Sequence, residues 1–325
     1  MKSVVEDIKK GSFKPVYLFY GEEAYLKQQY KNRLKNAVLP EGDTINLSIY
    51  SGKGIDVKEM IAQADTMPFF AEHRLLLIED SGFFKNANQQ LAEYIPSIPE
   101  ETIMLFVESE VDKRGKLYKA VSKKGSVVEF TAQNEQTLTR WILGILKSEK
   151  KMITSGAMKL FLEKTGTDME RIRQELEKLI CYCMEKESIT EEDVAVICSE
   201  QTENKIFDMI NAMAEKKQKK AMELYYDLLA LKEPPMRILY LITRQFNLLM
   251  QVKELSEEGY SAKTISERLK MAGFIVRNCL RQAEYFSLKT LKEALQDCVR
   301  MEEAVKTGRM NDVMSVELLL VKYSS

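Results

Sequence analysis

The apolar positions near the start of the chain form one short, uninterrupted run that ends at a glycine. Residues 15–21 read PVYLFYG, a pattern typical of a strand buried on both faces of a parallel sheet. In the next stretch, residues 22–39, apolar side chains such as Leu26, Tyr30 and Leu34 recur at helical spacing. The pattern therefore predicts a strand, a turn and a helix in that order.

Strand-like and helix-like segments continue to alternate up to residue 134. Further strands are predicted at residues 45–50, 75–79, 103–108 and 127–130, and helices at residues 56–65, 88–94 and 116–122. Strands that alternate with helices build a mainly parallel sheet covered on both faces. We therefore predict a doubly wound α/β domain over residues 1–134.

Beyond Phe130 the strand pattern stops and helical spacing takes over. A helix is predicted over residues 134–147, and a charged linker follows at residues 147–151, which we expect to act as a hinge. Thr167, with Glu170 three residues later, matches a capping box that would open the next helix. Another short helix begins at Thr190. Together these segments predict a small helical domain over residues 135–202.

The remaining sequence is a succession of amphipathic helices. They are predicted at residues 206–214, 221–231, 235–255, 262–269, 276–285, 288–306 and 313–323. Apolar stripes at this spacing belong to a core far more often than to a binding surface. We therefore predict an all-α bundle over residues 203–325.

Charge and composition limit the chemistry of the chain. Its 325 residues include 48 Lys and Arg against 49 Asp and Glu, so no global field draws it to nucleic acid or to an anionic membrane. There is one histidine, His73, which excludes most imidazole-based catalysis and any His-rich metal site. No apolar run approaches the roughly 20 residues of a membrane span, and no secretory signal is evident. We expect a cytoplasmic protein that contacts no membrane.

Five cysteines lie in apolar or amphipathic segments. Reduced, mostly packed thiols are the expectation for a large chain without a secretory signal. Cys181 and Cys183 are two residues apart on a predicted helix, so their side chains point roughly 200° apart. The pattern therefore favours packed thiols over a zinc site.

The turn after the first strand lacks the features that bind a phosphate. A phosphate loop has the form GxxxxGK[ST], whereas residues 21–28 read GEEAYLKQ. The second glycine and the Lys-Ser/Thr pair are missing, and Glu22 and Glu23 would repel an anion. We predict that no ATP or other cofactor binds here. Glu79 and Asp80, at the end of a later strand, are accordingly expected to be structural rather than magnesium ligands.

A proline and two aromatic residues follow the helix predicted at residues 56–65. Pro68 disfavours helix at Met67, so the chain must turn there. Phe69 and Phe70 cannot easily both point inward from a short turn, so at least one is a candidate surface anchor. The alternative, which the pattern alone favours, is that both rings cap the sheet edge as a small satellite core.

Several segments, taken in order, resemble one known family over essentially the whole chain. They are residues 16–26 (VYLFYGEEAYL), 67–75 (MPFFAEHRL), 112–114 (DKR), 117–119 (LYK), 168–179, 206–210 (IFDMI), 242–246 (ITRQF) and 306–309 (KTGR). The chain is thus similar to the delta subunits of the bacterial DNA polymerase III clamp loader, which are relatives of AAA+ proteins. The resemblance implies an AAA+-like α/β domain, a helical lid and a helical collar.

The resemblance also implies a function and a set of contacts. Such a subunit opens the ring-shaped sliding clamp with its hydrophobic turn, here Phe69 and Phe70 with Met67 and Pro68 beside them. Where this chain has Phe69, the family often has an aliphatic residue. The likeness therefore reverses the preference for a satellite core.

Further partners follow from the same resemblance. ATP would be bound and hydrolysed by neighbouring tau/gamma-type subunits, and these and delta-prime would meet the collar. Primer-template DNA would pass inside the assembly, where basic residues could meet its phosphates. The candidates are Lys113, Arg114, Lys116, Lys119 and Arg309. For the cluster at residues 113–119, a solvated loop is the alternative that charge runs usually favour.

Two other functions stay open at this point. The chain could be an AAA+-type ATPase with an atypical loop, which would bind ATP with magnesium. It could instead be a different helical adaptor with an α/β head, which would not bind a clamp. If the chain is instead a clamp-loader subunit, as the resemblance implies, it has no catalytic residues of its own and acts as a subunit of a DNA-directed DNA polymerase holoenzyme.

Overall fold

The computed structural model describes residues 1–86, 88–198 and 202–324 of the chain, and for residue 203 the backbone alone. These residues form two compact units, Met1–Gln133 and Asn134–Ser325. The further division of the second unit into a lid and a collar at residue 202 stays a prediction. Each unit is described below by itself.

The first unit is built on a five-stranded parallel sheet. Its strands are β1 (Val16–Tyr20), β2 (Leu47–Ser51), β3 (Arg74–Glu79), β4 (Thr102–Glu108) and β5 (Ser126–Glu129). They lie in the order β2-β3-β4-β1-β5, and every neighbouring pair is parallel. The predicted α/β class is confirmed, and each predicted strand lies within two residues of its observed position at either end.

Helices cover both faces of this sheet. They are α1 (Lys2–Lys10), α2 (Ala24–Val38), α3 (Val57–Ala64), α4 (Gln89–Tyr94), a 3-10 turn (Ile95–Ser97) and α5 (Lys116–Lys124). Side chains alternate along a strand, so Val16 and Leu18 enter one core whereas Tyr17 and Phe19 enter the core on the opposite face. The pattern did not predict α1, which is held by buried Val4 and by Asp7 accepting from the Tyr17 hydroxyl at 2.9 Å.

The second unit is mostly helical. Its elements are α6 (Glu135–Ser148), β6 (Met152–Ile153), α7 (Ser155–Thr165), α8 (Met169–Tyr182), β7 (Ser188–Ile189), α9 (Glu191–Ile197), α10 (Thr202–Ala214), α11 (Gln218–Ala230), α12 (Pro235–Glu257), α13 (Ala262–Leu269), α14 (Gly273–Ala283), α15 (Leu288–Lys306) and α16 (Asp312–Ser324). The helices from α10 onward share one large apolar core. The two short strands, which pair in parallel, were not predicted.

Two local predictions in this unit are wrong. The N-cap of α8 is Asp168, whose carboxylate accepts from the Arg171 backbone at 2.9 Å, so Thr167 is not the first residue of a capping box. The charged linker is shorter than predicted, because α6 continues to Ser148. Lys151 is also tied down, since its ammonium donates to the carbonyls of residues 183, 184 and 186 at 2.6–2.8 Å.

Three further features of the described residues bear on function. Four cysteines are buried and Cys181 is exposed, as expected of mostly packed thiols. Within residues 1–86, 88–198 and 202–324, no helix is long and apolar enough to span a bilayer. In the same ranges, no cluster of His, Cys, Asp and Glu could hold a metal ion.

Candidate functional site

The segment between α3 and β3 presents large apolar side chains to solvent. Met67 is 75% exposed, Phe69 57% and Phe70 96%, and Pro68 is half-buried between them. We call residues 67–70 the apolar turn. The expectation that both rings form a satellite core is wrong, because neither ring is sealed from water.

The two rings of the apolar turn contact each other. Their centroids are 4.6 Å apart and their planes meet at 83°, an edge-to-face arrangement that aromatic pairs prefer. Phe70 has a φ of 49°, in the left-handed region that a bulky side chain rarely adopts. Because the Phe70 ring is exposed, its burial does not offset the strain of the backbone. Strain of this kind concentrates at functional sites.

Two side chains outside the apolar turn hold its backbone. Asn46, just before β2, accepts from the Phe69 N–H at 2.7 Å and donates to the Phe69 carbonyl at 3.0 Å. Arg74, the first residue of β3, donates to the Thr66 carbonyl at 3.1 Å and to the Met67 carbonyl at 3.3 Å. The sequence pattern missed both residues. A polar residue just before an apolar edge strand, and an arginine that begins a buried strand, were the available signals.

Two more exposed apolar side chains lie at the edge strand β2 and just before it. Ile45, next to Asn46, is 63% exposed, and Ile49 on β2 is 59% exposed. Ile49 lies on the edge strand of the sheet, where an exposed apolar side chain favours contact with another chain. These two side chains add exposed apolar surface on the segment that carries Asn46.

The turn at the place of a phosphate loop is closed by the protein's own backbone. The Phe130 carbonyl accepts from the Glu23 N–H at 3.1 Å, and the Phe130 N–H donates to the Tyr20 carbonyl at 2.7 Å. Gly21 has a φ of 117°, and a Cβ at this position would lie 2.2 Å from the Phe130 oxygen. The glycine is thus required by the packing of this turn against the end of β5.

Charged side chains behind this turn make bonds within the protein. Lys31 on α2 donates to Glu79 at 2.7 Å, and Lys27 donates to the Glu108 carbonyl at 3.1 Å. The Glu108 carboxylate is buried and accepts from the hydroxyl and N–H of Ser81 and from the N–H of Gly82. Burial raises the pKa of Glu108, although the bonds from Ser81 and Gly82 oppose the shift. The lysines and carboxylates behind the turn are therefore bonded to groups of the protein itself.

Half of the predicted DNA-contacting cluster is paired with carboxylates. Lys113 lies 2.9 Å from Glu129, whose hydrogen bond raises the pKa of the lysine. Arg114 forms a two-pronged contact with Asp112 at 3.0 and 3.2 Å.

The other members of the predicted DNA-contacting set differ in their surroundings. Lys116 and Lys119, at the start of α5, are exposed. Arg309 belongs to the second unit, where it lies 2.8 Å from Glu303.

Comparison with known proteins gives consistent results along the chain. Residues 17–131 match the family model described as DNA polymerase III, delta subunit, and residues 203–323 match its C-terminal domain. The DNA polymerase III subunit delta of Bacillus subtilis is 30% identical over 331 residues, covering 98% of this chain and 95% of the relative. A probable DNA polymerase III subunit delta of Aquifex aeolicus is 21% identical over 257 residues, 75% of this chain and 72% of the relative.

A solved structure has the same fold over the full length. The Bacillus subtilis DNA clamp loader delta protein superposes with a TM-score of 0.69 at 30% identity, covering 99% of each chain. The likeness thus includes the α/β unit that carries the apolar turn as well as the helical remainder.

Proposed function

Because the chain belongs to the family of DNA polymerase III delta subunits, we propose that it binds the sliding clamp through the apolar turn and holds the ring open for loading onto primed DNA. The observation that carries the proposal is the turn itself. Phe69 and Phe70 are exposed, contact each other and sit on backbone that other side chains hold in place.

The chemistry of the turn suits a pocket on a partner. Aromatic side chains inserted in a desolvated pocket dominate protein interfaces, and each contributes about 2 kcal/mol or more to binding. Phe70, at 96% exposure, has nearly its whole ring available for burial. Binding opens a closed ring only if the open form is bound more tightly than the closed form. We therefore expect the turn to fit a clamp pocket whose shape differs between those forms.

We also propose that the chain does not hydrolyse ATP itself. The turn at Gly21 is closed by Phe130, and the carboxylate of Glu79 is already paired with Lys31. Energy would then come from ATP-binding subunits of the tau/gamma type. The helical second unit would contact those subunits and delta-prime, in the cytoplasm. Primer-template DNA would meet the exposed side chains of Lys116 and Lys119 more readily than the paired Lys113 and Arg114.

The clamp affinity of a double variant tests the main proposal. Replacing Phe69 and Phe70 with Ala should weaken binding to the clamp of the same organism at least about 100-fold, measured by surface plasmon resonance. Ring opening, followed by fluorophores across the clamp interface, should be lost in parallel. Met184→Ala and Tyr285→Ala are matched controls, because these side chains are 74% and 61% exposed but lie in the second unit. Full affinity in the double variant would exclude the proposal.

The ATPase alternative has its own test. Isothermal titration of the purified chain with ATP and magnesium should give no heat of binding. Saturable binding of ATP with magnesium would favour an ATPase with an atypical loop instead.

A further inference from the structure

We infer that Asn46 is a positioning residue for clamp binding, which holds the apolar turn in its binding conformation before the clamp arrives. The inference rests on the proposed function of the turn. It concerns a residue that touches neither the solvent nor, on this account, the clamp, since Asn46 is only 2% exposed.

The side-chain amide of Asn46 binds Phe69 in the way that a neighbouring strand would. It accepts from the Phe69 N–H at 2.7 Å and donates to the Phe69 carbonyl at 3.0 Å. The same nitrogen donates to Asp43 Oδ2 at 2.8 Å. The reversed amide orientation would set its nitrogen against an N–H and its oxygen against two acceptors, so one orientation satisfies every partner. The amide therefore fixes both backbone polar groups of the first ring-bearing residue.

Asp43 holds Asn46 in turn. Its carboxylate accepts from the Asn46 side chain at 2.8 Å and from the backbone N–H groups of Ile45 and Asn46 at 3.0 Å each. The pKa of Asp43 is lowered, chiefly by the hydrogen bond from the Asn46 side chain. Asn46 is thus locked by a local loop before it reaches Phe69.

Arg74 holds the preceding part of the turn. It is 4% exposed, and its guanidinium donates to the carbonyls of Thr66 and Met67. A nearly buried cation and a nearly buried amide therefore bind three carbonyls within four residues. Buried polar groups are costly unless they are paired, and the Arg74 guanidinium is paired through Nε and Nη2, whereas its buried Nη1 has no partner among the described residues.

The purpose of this bracing is not burial of the turn. The turn leaves three apolar side chains in water and keeps Phe70 at a φ of 49°. A loop with no bracing would relax from that conformation and would have to be ordered again on binding, at a cost in affinity. If the binding conformation is only partly populated in the free protein, the apparent affinity falls by that fraction. Asn46 keeps the fraction close to one.

The test compares Asn46→Ala with Asn46→Asp in the full chain. The alanine variant removes both bonds to Phe69. The aspartate variant has the same size and keeps an acceptor for the Phe69 N–H, but it sets a carboxylate oxygen against the Phe69 carbonyl and Asp43. Both should bind the clamp about 10-fold or more weakly, with a slower association rate and a nearly unchanged dissociation rate, because both rings remain. The Phe69 amide should also lose its protection from hydrogen exchange in Asn46→Ala.

Asn88→Ala is the matched control. Its amide accepts from the Leu91 backbone at 3.0 Å in the same unit and has no bond to the turn, so its loss should leave clamp affinity unchanged. Equal affinity of wild type and both Asn46 variants would overturn the inference while leaving the proposed function intact. If the wild-type chain did not bind the clamp at all, the proposed function would be refuted instead. Should the variants fail to fold, rapid exchange of the Phe69 amide in the wild type would still overturn the inference.

Discussion

The ammonium group of Lys31 lies 2.7 Å from the carboxylate of Glu79, and the two side chains are 10% and 28% exposed. This ion pair joins α2 to the end of β3, behind the turn where a related nucleotide-binding fold would hold phosphates and magnesium. The pair gives Glu79 a cationic partner and commits the Lys31 ammonium to that carboxylate. We therefore expect the pair to contribute to the stability of the first unit.

Breaking this pair should destabilise the first unit. Lys31→Met leaves a carboxylate with restricted access to water, and we expect a loss of about 2 kcal/mol in the free energy of unfolding. Glu79→Gln retains an acceptor for Lys31 and should cost less. Hydrogen exchange of the β1 and β4 amides measures the unfolding free energy of this unit.

An exposed pair in the same unit provides the comparison. Lys85 and Glu110 are also 2.7 Å apart, but their side chains are 53% and 75% exposed. Exposed ion pairs contribute little because water and salt screen them, so Lys85→Met should leave the exchange rates unchanged. Equal effects of Lys31→Met and Lys85→Met would contradict the structural role of the first pair.

A substitution at Gly21 tests whether the turn after β1 is shaped by packing rather than by a ligand. In Gly21→Ala the new Cβ would lie 2.2 Å from the Phe130 oxygen. Phe130 cannot withdraw without breaking its bonds to Glu23 and Tyr20, so we expect a loss of about 3 kcal/mol or more in unfolding free energy. The measurement is again hydrogen exchange of the β1 amides.

Gly42→Ala separates the steric clash from the cost of the backbone angle. Gly42 has a φ of 85°, also in the left-handed region, but nothing lies within 4 Å of a Cβ there. Its replacement should cost only about 1 kcal/mol, the usual penalty of that conformation for alanine. A similar small effect at Gly21 would mean that the turn can move away from Phe130.

The sequence was sufficient for the sheet because strands buried on both faces, such as β1, have an unmistakable apolar run. It was insufficient for the apolar turn. The backbone of Phe69 is bonded to Asn46, which is 23 residues away in the sequence and meets the turn only through the fold. Local signals also fell short at Lys151, since a lysine in a charged run gives no sign that three carbonyls will surround it.

The backbone strain at Phe70 predicts an unusual order of stability. Phe70→Ala removes an exposed ring but keeps the φ of 49°, whereas Phe70→Gly also relieves the left-handed strain. We expect the glycine variant to be more stable than the alanine variant by about 1 kcal/mol. Urea unfolding of the two variants, followed by circular dichroism, checks this order.

Both variants should nevertheless lose clamp affinity, because each lacks the ring. Thr66→Gly serves as a control for added flexibility near the turn, since Thr66 is exposed and has an ordinary negative φ. That variant should be less stable than wild type. If Phe70→Gly were less stable than Phe70→Ala, the left-handed conformation would carry no strain in the free protein.

Asp193 should make the stability of the second unit depend on pH in the acid range. Its buried carboxylate accepts from Lys186 at 2.5 Å and from the Thr190 N–H at 2.9 Å. These bonds, the one from Lys186 foremost, lower the pKa of Asp193 to about 2. An unfolded aspartate has a pKa of about 3.9. A lowered pKa stabilises the fold above the unfolded value, and this stabilisation is lost as the pH falls from about 4 to about 2.

Asp193→Asn should therefore be less stable than wild type at pH 7 by about 2 kcal/mol, and the difference should disappear near pH 2. Trp141, the one tryptophan of the chain, lies on α6 in this unit, so its fluorescence follows the unfolding in urea at each pH. Lys186→Met removes the principal partner of the carboxylate. In this variant the stability of the second unit should therefore depend less on pH between about 2 and about 4. Parallel stability curves for wild type and Asp193→Asn between pH 2 and 4 would show that the carboxylate contributes no such stabilisation, because a group with equal pKa in both states cannot make stability depend on pH.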